Sequence, residues 1–342
     1  MDDTAEARLA AGDPHGALAA LQARVRERPA DPAARVFLFQ LLCVLGQWSR
    51  AGNQLEVAAE MDPAALLMAQ TYRELLRCEV MREAVFDGRR APMVMGEPPA
   101  WMAPLVQALP FAAAGDGERA AALAAEAFAL APGSTGSLEV RRAHTSDAAG
   151  SADADNAGHA VAGAGESGAS DGASSARLAA RPDAIPFDWI GDADMRLGPV
   201  LEAMIDGKYY WVPFERLDSL VIDAPDDLRD LVWTSATFTW QGGGESVGFV
   251  PTRYPRRSRT PAGEGPPDGG ESARDDENGR DADREAASLA DEPACLMSRR
   301  TEWLALENDY FIGHGQRLFA SSAGDHALLE CGALRFDAVA AD

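Results

Sequence analysis

Along the first third of the chain, apolar residues recur at helical spacing while polar residues fill the opposite face. Leu18, Leu21 and Val25 form one such stripe, and Leu55, Val57 and Ala58 form another. Leu67, Tyr72, Leu75, Leu76, Val80 and Met81 mark a longer helix over 64–87, closed by Gly88. Residues 36–45 are nearly all apolar, which predicts a central helix buried on most sides. A loop over 89–100, punctuated by proline, separates these from a short helix carrying Trp101, Leu105 and Leu109.

The punctuation repeats. Gly12, Ala17 and Pro29 stand 5 and 12 residues apart, and Gly46, Ala51 and Pro63 repeat those intervals 34 residues later. Gly115, Ala120 and Pro132 repeat them again after a further 69. A 34-residue period of paired helices is the tetratricopeptide spacing. Each position has a physical reason. Glycine ends one helix in a left-handed conformation, alanine lets two helices approach, and proline stops the second.

The pattern changes after residue 184. Residues 209–214, 217–222, 236–241 and 246–250 are aromatic, β-branched or alternating, and the last two flank Gly242, Gly243 and Gly244, which predicts a hairpin. Residues 301–306, 316–321 and 327–334 supply further short strands. Residues 196–205 are expected to be helical with a stop at Asp206–Gly207, and Asp226 and Asp227 to open a short helix. Eleven of the chain's aromatic residues fall within 187–254, so a second core is centred there. The fold class is therefore α+β: an N-terminal tetratricopeptide-like helical repeat domain (1–136), then a small β-rich, barrel-like domain (185–342). Residues 137–184 are rich in Ala, Gly, Ser and Asp and are expected to be a flexible linker, and about 256–293 a disordered insertion.

A length of 342 residues accommodates this arrangement, and a net charge of −23 argues against nucleic acid and anionic membranes as partners. Cys43, Cys78, Cys295 and Cys331 are scattered, which suits buried free thiols in a reducing compartment. The acidic N-terminus lacks the features of a signal peptide, and no apolar run reaches the roughly 20 residues that span a bilayer. A cytoplasmic location is expected.

Candidate chemistry is sparse. Asp192 and Asp194 resemble an Asp-x-Asp pair that holds a metal and a sugar nucleotide. Such a pair needs a Rossmann-like sheet, and no βαβ alternation precedes it, so a turn with pairing to Arg196 is preferred and a metal-dependent sugar-nucleotide enzyme is kept as an alternative. Asp223, Asp226, Asp227 and Asp230 read as a solvated cap beside Arg229, and the three glycines lack the Lys-Ser/Thr of a phosphate loop. The five histidines show no metal-ligand spacing, and no Gly-x-Ser-x-Gly occurs. Arg253, Arg300 and Arg317 neighbour aromatics and suit buried ion pairs or stacks, with capture of a partner carboxylate as the second reading. If the helical repeats bind a partner, Phe37, Phe39, Trp48, Tyr72 and Trp101 are the candidate anchors.

Five ordered runs together resemble the ImpE/TagJ family of type VI secretion accessory proteins. They are the run from Phe187 through Trp189, Asp192, Asp194, Arg196 and Trp211 to Phe214, the run DAPDDLRDLVW with Asp227, Arg229, Asp230 and Trp233, GFVPTRYP with Arg253 and Tyr254, RRTEW with Trp303, and GQRL with Arg317. The upstream run from Phe86 to Met102 is similar to that family as well. The resemblance implies a non-enzymatic adaptor with no cofactor. It further implies binding to the N-terminal helix of the small sheath subunit and contact with the AAA+ ATPase that recycles contracted sheath. A purely structural component of the apparatus is the remaining alternative.

Overall fold

A computed structural model describes residues 4–141, 184–256, 288–289 and 291–338. The linker and insertion readings for 142–183 and 257–287 fall outside the described residues.

Three helix pairs carry the repeat: α1 (Ala5–Ala10) with α2 (Pro14–Glu27), α3 (Pro32–Val44) with α4 (Trp48–Met61), and α6 (Met102–Ala114) with α7 (Gly117–Leu130). The phase read from sequence has its physical counterpart. Gly12, Gly46 and Gly115 have φ of 80°, 65° and 82°, the left-handed region that glycine enters without strain. Ala17, Ala51 and Ala120 are fully buried. Asp13, Asp31 and Asp116 cap α2, α3 and α7 by accepting backbone N–H bonds from Gly16, Ala34 and Arg119. The single long helix α5 (Leu66–Phe86) stands between the second and third pairs.

The β-rich part is open, which corrects the expected barrel. Its main sheet has nine strands in the order β1 (Met93–Val94), β6 (Lys208–Pro213), β5 (Val200–Ile205), β9 (Glu245–Pro251), β8 (Trp233–Trp240), β7 (Leu217–Ile222), β14 (Cys331–Phe336), β2 (Gly136–Val140) and β3 (Ile185–Phe187). β10 (Thr301–Leu306) pairs with β11 (Tyr310–Gly315), and β12 (Leu318–Ser321) lies between β13 (Gly324–Ala327) and β4 (Ile190–Asp192). The sheet does not close on itself: its order runs from β1 at one edge to β3 at the other. β1, at one edge, comes from the proline-rich loop, and β2, between β14 and β3, from the first residues assigned to the linker, so each expected loop begins or contains a strand.

Two further expectations are corrected. Residues 200–205 form strand β5 rather than the end of a helix, and Asp206–Gly207, with φ of 50° and 69°, make the tight turn into β6. The helical stripe in VLEAMI is a false period: every residue of β5 is buried, because the sheet is covered on both faces. Asp226 and Asp227 start a turn instead of a helix, and both donate their N–H to the Asp230 carboxylate.

One apolar core runs continuously from the helices into the sheet, joining Leu41, Leu55, Tyr72 and Phe86 with Met204, Trp211 and Trp233. The second core lies on the other face of the sheet, where Leu201, Phe214, Phe238, Phe319 and Leu334 pack together. Alternation within β5 assigns Val200, Glu202 and Met204 to the helical side and Leu201, Ala203 and Ile205 to the other.

Candidate functional site

The family-like runs converge on the seam where α5 lies across the sheet. α5 turns Tyr72, Glu79, Arg82 and Phe86 inward, so one helix face carries two charges within an apolar stripe. Arg82 reaches Glu202 of β5 with Nε to Oε1 at 2.6 Å and Nη2 to Oε2 at 2.9 Å, the planar two-pronged geometry that a guanidinium makes with a carboxylate. The same Nη2 donates to the Arg253 carbonyl at 2.6 Å. Glu202 also accepts the Tyr209 hydroxyl at 2.6 Å, and Tyr209 in turn accepts the Trp211 indole N–H at 2.7 Å.

Arg317 extends the chain of charges. It pairs with Glu202 and with Asp192, and its Nε donates to the Pro251 carbonyl at 2.9 Å. Asp192 accepts the Tyr254 hydroxyl at 3.0 Å and the Asp194 backbone N–H at 2.9 Å. Asp194 turns away from Asp192: its carboxylate takes Arg196 at 2.5 Å and the Gly313 N–H at 2.9 Å. The two aspartates are buried on different arginines, so they do not stand as an open pair of the kind an Asp-x-Asp metal site presents. Among the described residues no group of three or more His, Cys, Asp or Glu converges as metal ligands would.

The remaining runs fasten other parts of the seam. Arg196 stacks 4.7 Å over the Phe86 ring, and Arg229, paired with Asp227, stacks 4.8 Å over Tyr72. Trp233 donates its indole N–H to Glu79 at 2.8 Å. Arg253 is buried and donates to the carbonyls of Val44 (2.6 Å), Leu296 (2.7 Å) and Cys43 (3.2 Å), at the C-terminal ends of α3 and of the short helix α8 (Pro293–Leu296). Those carbonyls carry the negative ends of two helix dipoles, which suits a cation. Tyr254 packs on Trp303 at 5.8 Å, and Arg317 lies 5.4 Å over the Tyr254 ring. Asp230 holds the turn, and Trp211 packs 6.0 Å from Phe86. Trp189 is the exception, half exposed beyond the end of β3. Arg300 is likewise exposed, paired with Glu302.

The electrostatics follow from burial and pairing. Burial alone would raise the Glu202 carboxyl, but Arg82 and Arg317 outweigh it and hold it at about 2. Burial raises Asp192 to about 7 against the pull of Arg317, with Asp194 adding like charge. Burial lowers Arg253 to about 10. The four cysteines are free and buried, and desolvation lifts Cys78 and Cys331 to about 12 and Cys295 to about 11, so they are poor nucleophiles. Chemically, the arrangement is a closed network of paired ions that joins two parts of the molecule.

Of the candidate anchors, Phe39, Tyr72 and Trp101 are buried in the continuous core and present no face to a partner, while Phe37 and Trp48 are partly buried against it. Trp48 is further engaged through its indole N–H to Glu83 at 2.7 Å. Sequence reasoning misses Glu79, Arg82 and Glu202 as site residues. A signal exists, since a lone charge inside an apolar stripe or strand must find a buried partner, yet nothing in the linear pattern names that partner.

Comparison with known proteins places this architecture. The model of the family described as ImpE protein matches residues 184–335, and a tetratricopeptide repeat model matches 8–72. The type VI secretion system accessory component TagJ of Pseudomonas aeruginosa is 39% identical over 333 residues, covering 97% of this chain and 91% of TagJ. The crystal structure of protein VPA1032 from Vibrio parahaemolyticus shares the fold at a TM-score of 0.69 and 20% identity, covering 98% of each chain.

Proposed function

The chain belongs to the ImpE family, and we propose that it works as a non-catalytic accessory component of type VI secretion. The observation that carries this reading is the extent of the likeness to TagJ, since 97% of this chain is covered, helical repeats and motif-bearing sheet alike. Within that role the repeat region, 1–136, is the binding module and the motif-bearing region its platform. The repeats take the N-terminal helix of the small sheath subunit, and the acidic surface meets the AAA+ ATPase that recycles contracted sheath. The protein acts in the cytoplasm in this reading; among the described residues no helix is long and apolar enough to cross a membrane.

Physical chemistry supports the helix-capture part. Stacked helix pairs offer extended surfaces to a partner helix, which docks through apolar side chains along one face. Leu66 and Leu67 at the start of α5 are 50% and 51% exposed, and Phe37 of α3 is partly open, so these are the anchors of the proposal. Titration calorimetry of the full-length protein with a synthetic peptide of the sheath subunit's first helix should give a dissociation constant on the order of micromolar. Leu66→Asp with Leu67→Asp should weaken it at least tenfold. No heat at high micromolar peptide would overturn the helix-capture reading.

A further inference from the structure

The seam between α5 and the sheet combines two kinds of contact with different tolerances. Its apolar part consists of broad ring contacts: Tyr72 with Trp233 at 5.9 Å, Tyr72 with Phe249 at 6.3 Å, and Phe86 with Trp211 at 6.0 Å. Such contacts are non-directional, and a helix sliding by one turn, about 5.4 Å, would meet similar surface. Its polar part is directional and closed. Arg82, Glu202, Arg317 and Asp192 are each buried and mutually paired, and Glu79 is paired with both Arg82 and Trp233.

We propose that this buried charge chain is a register key, selecting which turn of α5 faces which strand of the sheet. The helix sequence itself supplies the discrimination. Sliding α5 one turn in one direction brings Glu79 to the place of Arg82, so two carboxylates face each other at Glu202. Sliding it the same three residues the other way brings Val85 against Glu202 and moves Arg82 to the Trp233 indole N–H, a donor facing a donor. Both slipped registers leave buried charges without partners, which a low-dielectric seam penalises heavily. Only the observed register pairs every one of these groups. A single buried polar group that fixes the register of packed helices is the best-attested use of such groups, and here the device operates between a helix and a sheet.

The test removes the key's charges, two carboxylates and one guanidinium, from the seam. In the full-length triple variant Glu79→Gln, Arg82→Met, Glu202→Gln, the Arg317–Asp192 pair remains and the glutamines still accept the Trp233 and Tyr209 donors. The key predicts a folded protein whose α5 amides exchange hydrogen at least tenfold faster than in the parent, with a second set of α5 resonances, while amides of α2 and α3 change less than twofold. Unchanged α5 exchange and a single set of resonances would overturn the proposal. Should the triple variant not fold, Arg82→Lys gives the same readout. It retains the charge and loses the two-pronged geometry, so α5 exchange should rise at least fivefold. The seam variant Phe86→Leu should leave it within twofold. Equal effects of Arg82→Lys and Phe86→Leu would assign the seam to general packing and sink the key.

Discussion

Helices α3 and α4, joined across residues 45–47, are closed by Leu41, Ala51 and Leu55, all of them fully or almost fully buried and close in sequence. At the seam, by contrast, Arg82 meets Glu202 across 120 residues and Arg253 caps α3 from 209 residues away. The first contact is apolar, small and local, and its geometry follows from how closely two helices can approach. The second is charged, buried and distant in sequence, and its geometry follows from pairing every ion. Local repeats therefore tolerate exchange of one aliphatic residue for another of similar volume. The seam tolerates no loss of a single partner, because an ion left alone in it keeps its desolvation cost and loses its compensation.

The largest effect that would sharpen this contrast is Glu202→Ala. It removes the carboxylate that Arg82 and Arg317 share, leaving them side by side with only Glu79 and Asp192 as partners, and should lower unfolding free energy by about 3–5 kcal/mol in a denaturant melt. A loss below about 1 kcal/mol, the level of an exposed pair, would break the distinction between the two regions. The next is a pH effect. Glu202 sits at about 2 when folded, below the ordinary 4.5, so its stabilising contribution is complete above about 4.5 and fades as pH falls toward 2. Asp192 has the opposite sign: raised to about 7 from 3.8, it favours the fold below about 4 and loses that contribution as pH rises through 7. The stability gap between parent and Glu202→Gln should thus shrink by about 2–3 kcal/mol between roughly pH 5.5 and 2.5, read from melts at matched ionic strength. For Asp192→Asn the gap should instead move in the variant's favour between roughly pH 4 and 7.5. The smallest effect concerns the repeats. Ala51→Leu forces a branched side chain into a filled helix contact and should cost about 1–3 kcal/mol, with no dependence on pH across the same range. A pH-dependent loss there would erase the comparison.

Much of the helical region is legible in the sequence. The Gly–Ala–Pro phase locates Gly12, Gly46 and Gly115 at left-handed turns and Ala17, Ala51 and Ala120 at close contacts. These requirements act over a few residues, so spacing alone expresses them. The hairpin around Gly242–Gly244 is legible for the same reason. β5 is not: its run VLEAMI fits a helical stripe and a doubly covered strand equally well, and only its neighbours β6 and β9 decide between them. Strands β1 and β2 are invisible because two and five residues carry too little pattern, and they become strands by pairing with β6 and β14. Aromatic content alone does not separate anchor from core, so Phe39, Tyr72 and Trp101 prove to be interior.

The sequence by itself determined the helix pairs, their turns and the buried character of the cysteines, because each depends on local sterics, periodicity or composition, and its resemblance to a family marked the runs. The tertiary structure alone decided where those runs meet. Asp192 and Asp194, two residues apart, face different arginines, and Glu202 gathers Arg82 and Arg317 from distant parts of the chain. Ion pairing carries no periodicity and no preferred sequence separation, so its partners emerge only when the low-dielectric seam closes and leaves each charge one place to be compensated.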